Sequence, residues 1–137
     1  MDFSLTNKTA LVTGSYRGTG FAIAKTLLAE GANVLVHGIT AKQANAAVSE
    51  LAGGTPVSGD ISAPAGCQSL LEACAEHSIQ ILINNYGGAD QSTWLDSNAD
   101  DWHSAFEKNV LSAQRLTQAL LPSLLASPWA RIINIGT

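Results

Sequence analysis

A glycine-rich segment, residues 13–20 (TGSYRGTG), carries the clearest chemistry in this 137-residue chain. Its glycines have the spacing Gly-x-x-x-Gly-x-Gly, and the segment lies between an apolar run and a helical pattern. Glycines allow a tight turn and the close approach of a pyrophosphate, which backbone N–H groups and the helix dipole attract. Glycine-rich connectors are common after strands, but this context favours a dinucleotide. No Gly-Lys-Ser/Thr follows, which disfavours a P-loop nucleotidase.

Five apolar runs predict the strands that must position this segment. They cover residues 9–13, 33–37, 56–59, 79–84 and 131–135. Strands that are almost continuously apolar and alternate with helices are typical of a parallel sheet covered on both faces. The sequence therefore predicts an α/β fold of the Rossmann type. This is a doubly wound parallel sheet in three α/β/α layers, which stops after the fifth strand.

Helical patterns fill the intervals between these strands. The first helix follows the glycine segment and ends near Gly31. The second has Thr40 as its cap and runs through Leu51, and the third has Ser62 as its cap, Pro64 in its first turn and an end near His77. A long helix begins at Asn98 and runs through Leu120, where Pro122 perturbs or ends it.

Composition narrows the class of protein. A chain that is 46% hydrophobic and 13% charged is long enough for one globular domain, which we assign to residues 1–137. The net charge of −4, without a basic run, argues against nucleic-acid binding. The sequence has no leader-like start and no apolar run of spanning length, so we expect no membrane association and a cytoplasmic location.

Cysteine and histidine positions argue against disulfide and metal chemistry. Cys67 and Cys74 fall on one predicted helix, where they cannot form a normal local disulfide, and we expect two buried thiols. His37, His77 and His103 lie on different elements without paired ligand spacing, so no metal site is expected.

The segment TGSYRGTG resembles the Thr-Gly-x-x-x-Gly-x-Gly signature of the short-chain dehydrogenases/reductases, and further landmarks agree in order and spacing. Asp60 and Ile61 match the position that holds the adenine ring in that family. The run NNYG at residues 84–87 is similar to the family's Asn-Asn-Ala-Gly motif, and Asn109 matches its active-site asparagine. Each landmark also has a structural interpretation, as a turn cap, a strand-end amide or an exposed polar residue of a helix.

The resemblance implies an NAD(P)(H)-dependent oxidoreductase acting on an alcohol or carbonyl substrate. It implies Asn109 and Thr137 as catalytic residues, Thr137 standing where the family usually has serine. The implied cofactor-binding residues are Gly14, Ser15, Tyr16, Arg17, Gly18, Thr19, Gly20, His37, Gly38, Asp60, Ile61, Asn85, Tyr86 and Gly87.

Three departures from the family pattern bear on activity. Tyr86 replaces a small residue, so its phenol can crowd the nicotinamide ribose region or reshape the loop. The extra methyl of Thr137 narrows the site. The family's catalytic Tyr-x-x-x-Lys is absent from these residues, so we expect the chain to bind better than it catalyses. The alternative is a catalytically silent nucleotide-binding or interaction domain. A methyltransferase is disfavoured, because the glycine spacing differs and no acid ends the second strand.

The end of the second predicted strand indicates which cofactor is preferred. A carboxylate there would bind the adenosine ribose 2′-hydroxyl, but the sequence is His37, Gly38, Ile39 and Thr40. Arg17 in the glycine segment can reach a 2′-phosphate, so we favour NADP(H) over NAD(H), although Arg17 can instead be a solvated loop residue. We also expect a homo-oligomer, through the long helix near Asn98 or through the edge of the fifth strand.

Overall fold

The computed structural model describes residues 3–89 and 92–136. The strands are β1 (Thr9–Val12), β2 (Asn33–Gly38), β3 (Thr55–Ser58), β4 (Ile81–Asn84) and β5 (Arg131–Asn134). The helices are α1 (Gly18–Ala29), α2 (Ala41–Leu51), α3 (Pro64–Cys74), α4 (Ala99–Phe106) and α5 (Ser112–Ala126), with a π turn (Glu107–Leu111) joining α4 to α5.

All five strands are parallel and lie in the order β3-β2-β1-β4-β5. The strand order reverses at β1, whose neighbours are β2 on one side and β4 on the other. Val12 is in register with both Val36 and Ile83, so the carboxyl ends of these three strands lie side by side. In open α/β sheets such a switch point forms a crevice for ligands. The predicted doubly wound parallel sheet is confirmed.

Two hydrophobic clusters cover the two faces of the sheet. Leu11, Leu35 and Leu82 point to one face and pack with buried residues of α3 and α5. Val12 and Val36 point to the other face, which is covered by α1 and α2. Successive strand residues point to opposite faces of the sheet. Because helices bury both faces, residues on either face are apolar, which explains the continuous apolar runs in the sequence. The sheet and its helices form the three expected layers.

Local sequence signals mark the starts of α2 and α3, but the predicted cap of α3 is wrong. Thr40 begins α2 with a capping box, in which its hydroxyl accepts from Gln43 N and the Gln43 side chain accepts from Thr40 N. Pro64 is in the first turn of α3, as predicted. Ser62 is not the cap of α3, because its hydroxyl donates to Asp60 Oδ1 at 2.6 Å instead. That helix ends at Cys74 rather than near His77.

The long helix differs from the prediction in two ways. A π turn interrupts it around Asn109, and Pro122 lies inside α5, which continues to Ala126. A proline in a helix removes one hydrogen bond. Beyond it, however, Leu124 is only 4% exposed in the core, and this packing keeps the last turn helical. Pro122 therefore does not end the helix.

Several strand ends differ from the sequence prediction by one or two residues. Strand β4 begins at Ile81 because Ile79 N bonds to His77 O in a turn. Cys67 and Cys74 are buried free thiols, as predicted, and burial raises the pKa of Cys74 to about 12. None of the helices in the described ranges is long and apolar enough to cross a membrane.

Candidate functional site

The glycine loop after β1 packs closely against the loop after β4. Gly14 has φ +64°, and a Cβ there would lie 3.1 Å from Tyr86 Cα. A Cβ on Gly20 would lie 2.5 Å from both Gly14 O and Asn85 Nδ2. These two glycines are required because backbone and side-chain atoms fill the space beside them.

The first residue of α1 faces open space. Gly18 has φ +58°, and a Cβ built there would meet nothing within 4 Å. Arg17 is the N-cap residue, and in the described part of the chain no side chain caps this helix, as for α3 and α5, whereas Thr40 and Asn98 cap α2 and α4. The first backbone N–H groups of α1 therefore have no side-chain acceptor beside the open space at Gly18, an arrangement that suits an anion.

Thr13 joins the two loops and was missed as a site residue in the sequence. Its hydroxyl accepts from Asn85 N and from Tyr86 N, both at 2.9 Å, and donates to Ile83 O at 3.3 Å. The Asn85 side chain returns a hydrogen bond from Nδ2 to Thr13 O at 3.0 Å. The sequence does carry a signal for Thr13 as a site residue: it is a hydroxyl residue placed between a strand and a glycine loop.

His37 and Ser15 lie in the site but are both 0% exposed. Nδ1 of His37 accepts from Gly14 N at 2.9 Å, and Nε2 donates to Gly59 O at 2.8 Å. Ser15 Oγ donates to Val12 O and accepts from His37 N. Burial lowers the pKa of His37, against smaller raising effects of the Gly59 carbonyl and Asp60. Their side chains shape the loop and offer no surface to a ligand, and cofactor binding by these two residues stays a prediction.

The end of β3 contributes exposed and buried residues. Asp60 is exposed, and its Oδ1 accepts from Ser62 N at 3.1 Å. Ile61 is 1% exposed and belongs to the core, so only its backbone can contact a ligand.

At the end of β2, Gly38 is buried where α2 approaches the strand, and a Cβ there would lie 2.7 Å from Ala44 N.

The phenol of Tyr86 extends toward the ends of β2 and β3. Its hydroxyl lies 3.5 Å from Asp60 Oδ1, and its ring meets the ring of His37 edge-on with centroids 6.1 Å apart. Burial raises the pKa of this phenol. Tyr16 lies nearby in the glycine loop, and the guanidinium of Arg17 is 5.1 Å from the centre of its ring. The half-buried phenol thus narrows the space between the glycine loop and Asp60.

Asn109 fixes the other side of the site. Its Oδ1 accepts from Gly88 N at 2.9 Å, and its Nδ2 donates to Gly88 O at 2.8 Å and to Ala105 O at 2.9 Å. A Cβ on Gly87 would lie 2.5 Å from Asn109 Oδ1, so the loop and the π turn pack tightly. The π turn therefore coincides with the amide that holds the loop after β4.

A groove of about 1260 Å³ extends from Thr19 to α4 and α5, with Asn109 on its wall. Trp94 and Trp102 line its outer part, with ring centroids 5.2 Å apart. Among the described residues that line it, Asp101 alone is charged. The predicted catalytic Thr137 lies outside the described residues, so its geometry relative to Asn109 is not part of this site. Within residues 3–89 and 92–136, no three His, Cys, Asp or Glu side chains converge as metal ligands.

The switch point, the glycine loop and the open first turn of α1 define an α/β protein of the Rossmann type. The family model for the short chain dehydrogenases matches residues 8–137, and the chain belongs to that family. It is 36% identical over 143 residues to the uncharacterized oxidoreductase YvaG of Bacillus subtilis, covering 100% of this chain and 53% of YvaG.

Solved structures give the same assignment. L-sorbose reductase of Gluconobacter frateurii, complexed with NADPH and L-sorbose, matches with a TM-score of 0.90 at 28% identity, covering 98% of this chain and 54% of that protein. The Pseudomonas aeruginosa RhlG/NADP complex matches with a TM-score of 0.90 at 34% identity, covering 99% and 57%. The chain spans about half the length of the curated relatives that it matches.

Proposed function

We propose that this chain is the dinucleotide-binding part of an NAD(P)(H)-dependent oxidoreductase that acts on an alcohol or carbonyl substrate. The observation that carries the proposal is the open cradle at Gly18, beside an α1 first turn whose N–H groups no described side chain caps. A pyrophosphate fits there because the backbone donors and the helix dipole favour negative charge. The packed glycines Gly14 and Gly20 hold this loop in position.

Other residues would bind the remaining parts of the cofactor. Asp60, whose carboxylate is beside the Tyr86 phenol, and the backbone of Ile61 would contact the adenine. The loop at Asn85 and Gly87 leads to the groove, where Asn109 would border the nicotinamide. A bound nicotinamide dinucleotide supplies or accepts a hydride. The chain's own part is to bind and orient the cofactor and to exclude water from it.

NADP(H) is the cofactor that we favour over NAD(H). No carboxylate follows β2 at Gly38 and Ile39, so nothing at that strand end repels a 2′-phosphate. Arg17 is exposed at the start of α1, where its guanidinium can pair with such a phosphate. Two similar proteins, L-sorbose reductase and RhlG, have structures with NADPH or NADP, which supports this preference.

Asn109 and Thr137 are the residues that we propose for the catalytic side of the site. Asn109 borders the groove and holds Gly88, so its contribution is to fix the loop beside the reacting atoms. The two tyrosines of the sequence, Tyr16 and Tyr86, would lie toward the adenine end of the proposed cofactor, away from the reacting atoms. We therefore expect these 137 residues to bind the cofactor with little turnover of their own.

A second candidate, a nucleotide-binding or interaction domain without catalysis, is favoured by the exposed apolar side chains of β5 and α5. Ile133 is 44% exposed and Leu125 is 76% exposed. Such surface is typical of an interaction site, and a second copy of the chain is the partner that we propose. A pure interaction domain would not bind the cofactor, whereas a nucleotide-binding domain without catalysis would still bind it.

Calorimetric titration with NADPH and NADH tests the proposal. The wild-type chain should bind, and Gly18→Ala should bind at least roughly tenfold more weakly, because a Cβ would enter the cradle and strain a positive φ. The matched control is Gly53→Ala, whose Cβ would make ordinary contacts with Leu28 at 3.6 Å. Absence of binding by the folded wild-type chain would contradict the dinucleotide proposal and support the interaction domain.

A further inference from the structure

His37 joins the ends of three strands through its ring. Nδ1 contacts Gly14 N after β1, and Nε2 contacts Gly59 O after β3, each within 2.9 Å. The His37 backbone adds two bonds to the glycine loop, since its N donates to Ser15 Oγ at 2.8 Å and its O accepts from Tyr16 N at 3.1 Å. A buried imidazole is therefore the side chain that fixes the conformation of the first loop glycine.

The partners of the ring specify where its proton lies. The backbone N–H of Gly14 can only donate, so Nδ1 must carry a lone pair. The carbonyl of Gly59 can only accept, so Nε2 carries the hydrogen. Both bonds exist together only in the neutral Nε2–H tautomer. A proton on Nδ1 would set two N–H groups against each other and break the bond to Gly14.

Of the groups that face the ring, the Gly59 carbonyl and Asp60 favour its charged form, and burial outweighs both. Asp60 after β3 is the nearby carboxylate, but Ser62 already donates to its Oδ1. Tyr86 after β4 meets the ring edge-on, and Tyr16 belongs to the loop after β1. Beside Gly38, the residue after His37, the nearest atoms from α2 and its N-cap belong to uncharged residues, Thr40, Gln43 and Ala44. Burial dominates and lowers the pKa of His37.

We infer that His37 is a positioning residue for the dinucleotide site, which holds the glycine loop in its binding conformation while neutral and releases it when acid protonates Nδ1. The inference rests on the proposed dinucleotide function, because the loop that His37 holds is the proposed pyrophosphate cradle. It adds a proton-linked control of affinity to that function.

The direction of the pH effect follows from linkage. A released ring regains an ordinary pKa near 6.5, whereas the held ring has a lower one. The released state therefore binds more protons as the pH falls below about 6.5, and acid favours release. Above that pH both states are neutral, and the hold on the loop is fully present. Affinity for the dinucleotide should fall below about pH 6.5 and stay constant from pH 7 to 8.

Two substitutions distinguish the contributions of the hydrogen bonds made by the two ring nitrogens. His37→Asn puts an amide oxygen where Nδ1 lies, so it can accept from Gly14 N without titrating. His37→Gln puts an amide nitrogen where Nε2 lies, so it can donate to Gly59 O but leaves the Gly14 N–H without an acceptor. At pH 8 we expect H37N to retain NADP⁺ affinity and H37Q to lose roughly tenfold, the effect of one buried unsatisfied donor.

The decisive experiment is calorimetric titration of the wild-type chain and H37N with NADP⁺ between pH 8 and pH 5. The ratio of their affinities at each pH cancels the titration of the cofactor's own phosphate. We expect this ratio to be constant above pH 7 and to fall at least roughly fivefold toward pH 5. Parallel curves for the two proteins, or H37Q binding as well as wild type at pH 8, would overturn the inference.

A readout without ligand keeps this test independent of the proposed function. Hydrogen-exchange protection of the Gly14 amide should decline below about pH 6.5 in the wild-type chain and persist in H37N. Protection that is unchanged to pH 5 in both proteins would refute the role of His37. Failure of wild type to bind NADP⁺ at pH 8, with the expected Gly14 behaviour, would refute the dinucleotide function alone.

Discussion

Ser15 and Arg17, two residues apart in the glycine loop, have opposite environments. Ser15 is fully buried and bonded to the backbone, whereas Arg17 is exposed at the start of α1. The guanidinium of Arg17 lies 5.1 Å from the ring centre of Tyr16, a spacing at which cation–π attraction holds it loosely. Arg17 is therefore available to a ligand, while Ser15 serves the fold.

Arg17→Ala should weaken NADPH binding by at least roughly tenfold and leave NADH binding almost unchanged. The reason is the loss of one charge-assisted contact to the 2′-phosphate, worth about 1.5–3 kcal/mol, which NADH never makes. Paired titrations with the two cofactors measure the difference. Lys25→Ala, an exposed cation further along α1, is the control and should change neither affinity. Equal losses for both cofactors would argue that Arg17 does not select the phosphate.

Among the elements, α5 combines a helix-breaking residue with strong packing. Pro122 is exposed inside the helix, while Leu116 and Leu124 on either side of it are buried. The carbonyl of Gln118 loses its helical donor at the proline. Tertiary burial, rather than helical propensity, keeps the last turn of α5 in place.

Pro122→Ala should raise the free energy of unfolding by about 2 kcal/mol. Removal of an interior proline gains about 3 kcal/mol in the helix, and the more flexible unfolded chain offsets up to about 1 kcal/mol of it. Urea denaturation followed by circular dichroism provides the measurement. Ser123→Ala next to it is the control and should change stability by less than about 0.5 kcal/mol. Equal stabilities for the two variants would mean that the proline costs the helix nothing.

Features set by local sequence were predictable, whereas features set by contacts between distant residues were not. Apolar runs located the strands, and Thr40 located the start of α2, because both signals are local. The π turn at Asn109 was not predictable, since it depends on hydrogen bonds to Gly88 in a distant loop. The burial of His37 was also missed, because its partners Gly14 and Gly59 meet it only in the folded sheet.

Across the protein, apolar exposure is uneven. The apolar side chains on both faces of β1 and β2 are buried. The residues of β5, at the end of the sheet, are exposed along its length. Ile132 and Ile133 of β5 and Leu121 and Leu125 of α5 all expose more than a third of their surface. This concentration of exposed apolar side chains is the basis for the proposed association of two copies.

Leu125→Glu should weaken self-association by at least roughly tenfold, since a carboxylate would be buried at the proposed contact. Light scattering over a concentration series gives the mass of the species present. The control is Ala22→Glu, which adds the same charge at an exposed position of α1 on the opposite face. A wild-type chain that stays monomeric at high concentration would contradict the proposed homo-oligomer, and equal effects of both variants would exclude this face.

The bonds that Thr13 makes to Asn85 and Tyr86 have a consequence for the speed and strength of recognition. They restrict the backbone of both loops before any ligand arrives, so the conformational entropy of these loops is lost during folding rather than during binding. A preorganised loop needs little rearrangement to receive its ligand. We therefore expect association rates with little temperature dependence beyond that of diffusion, and selectivity that is expressed mainly in how slowly the bound molecule leaves.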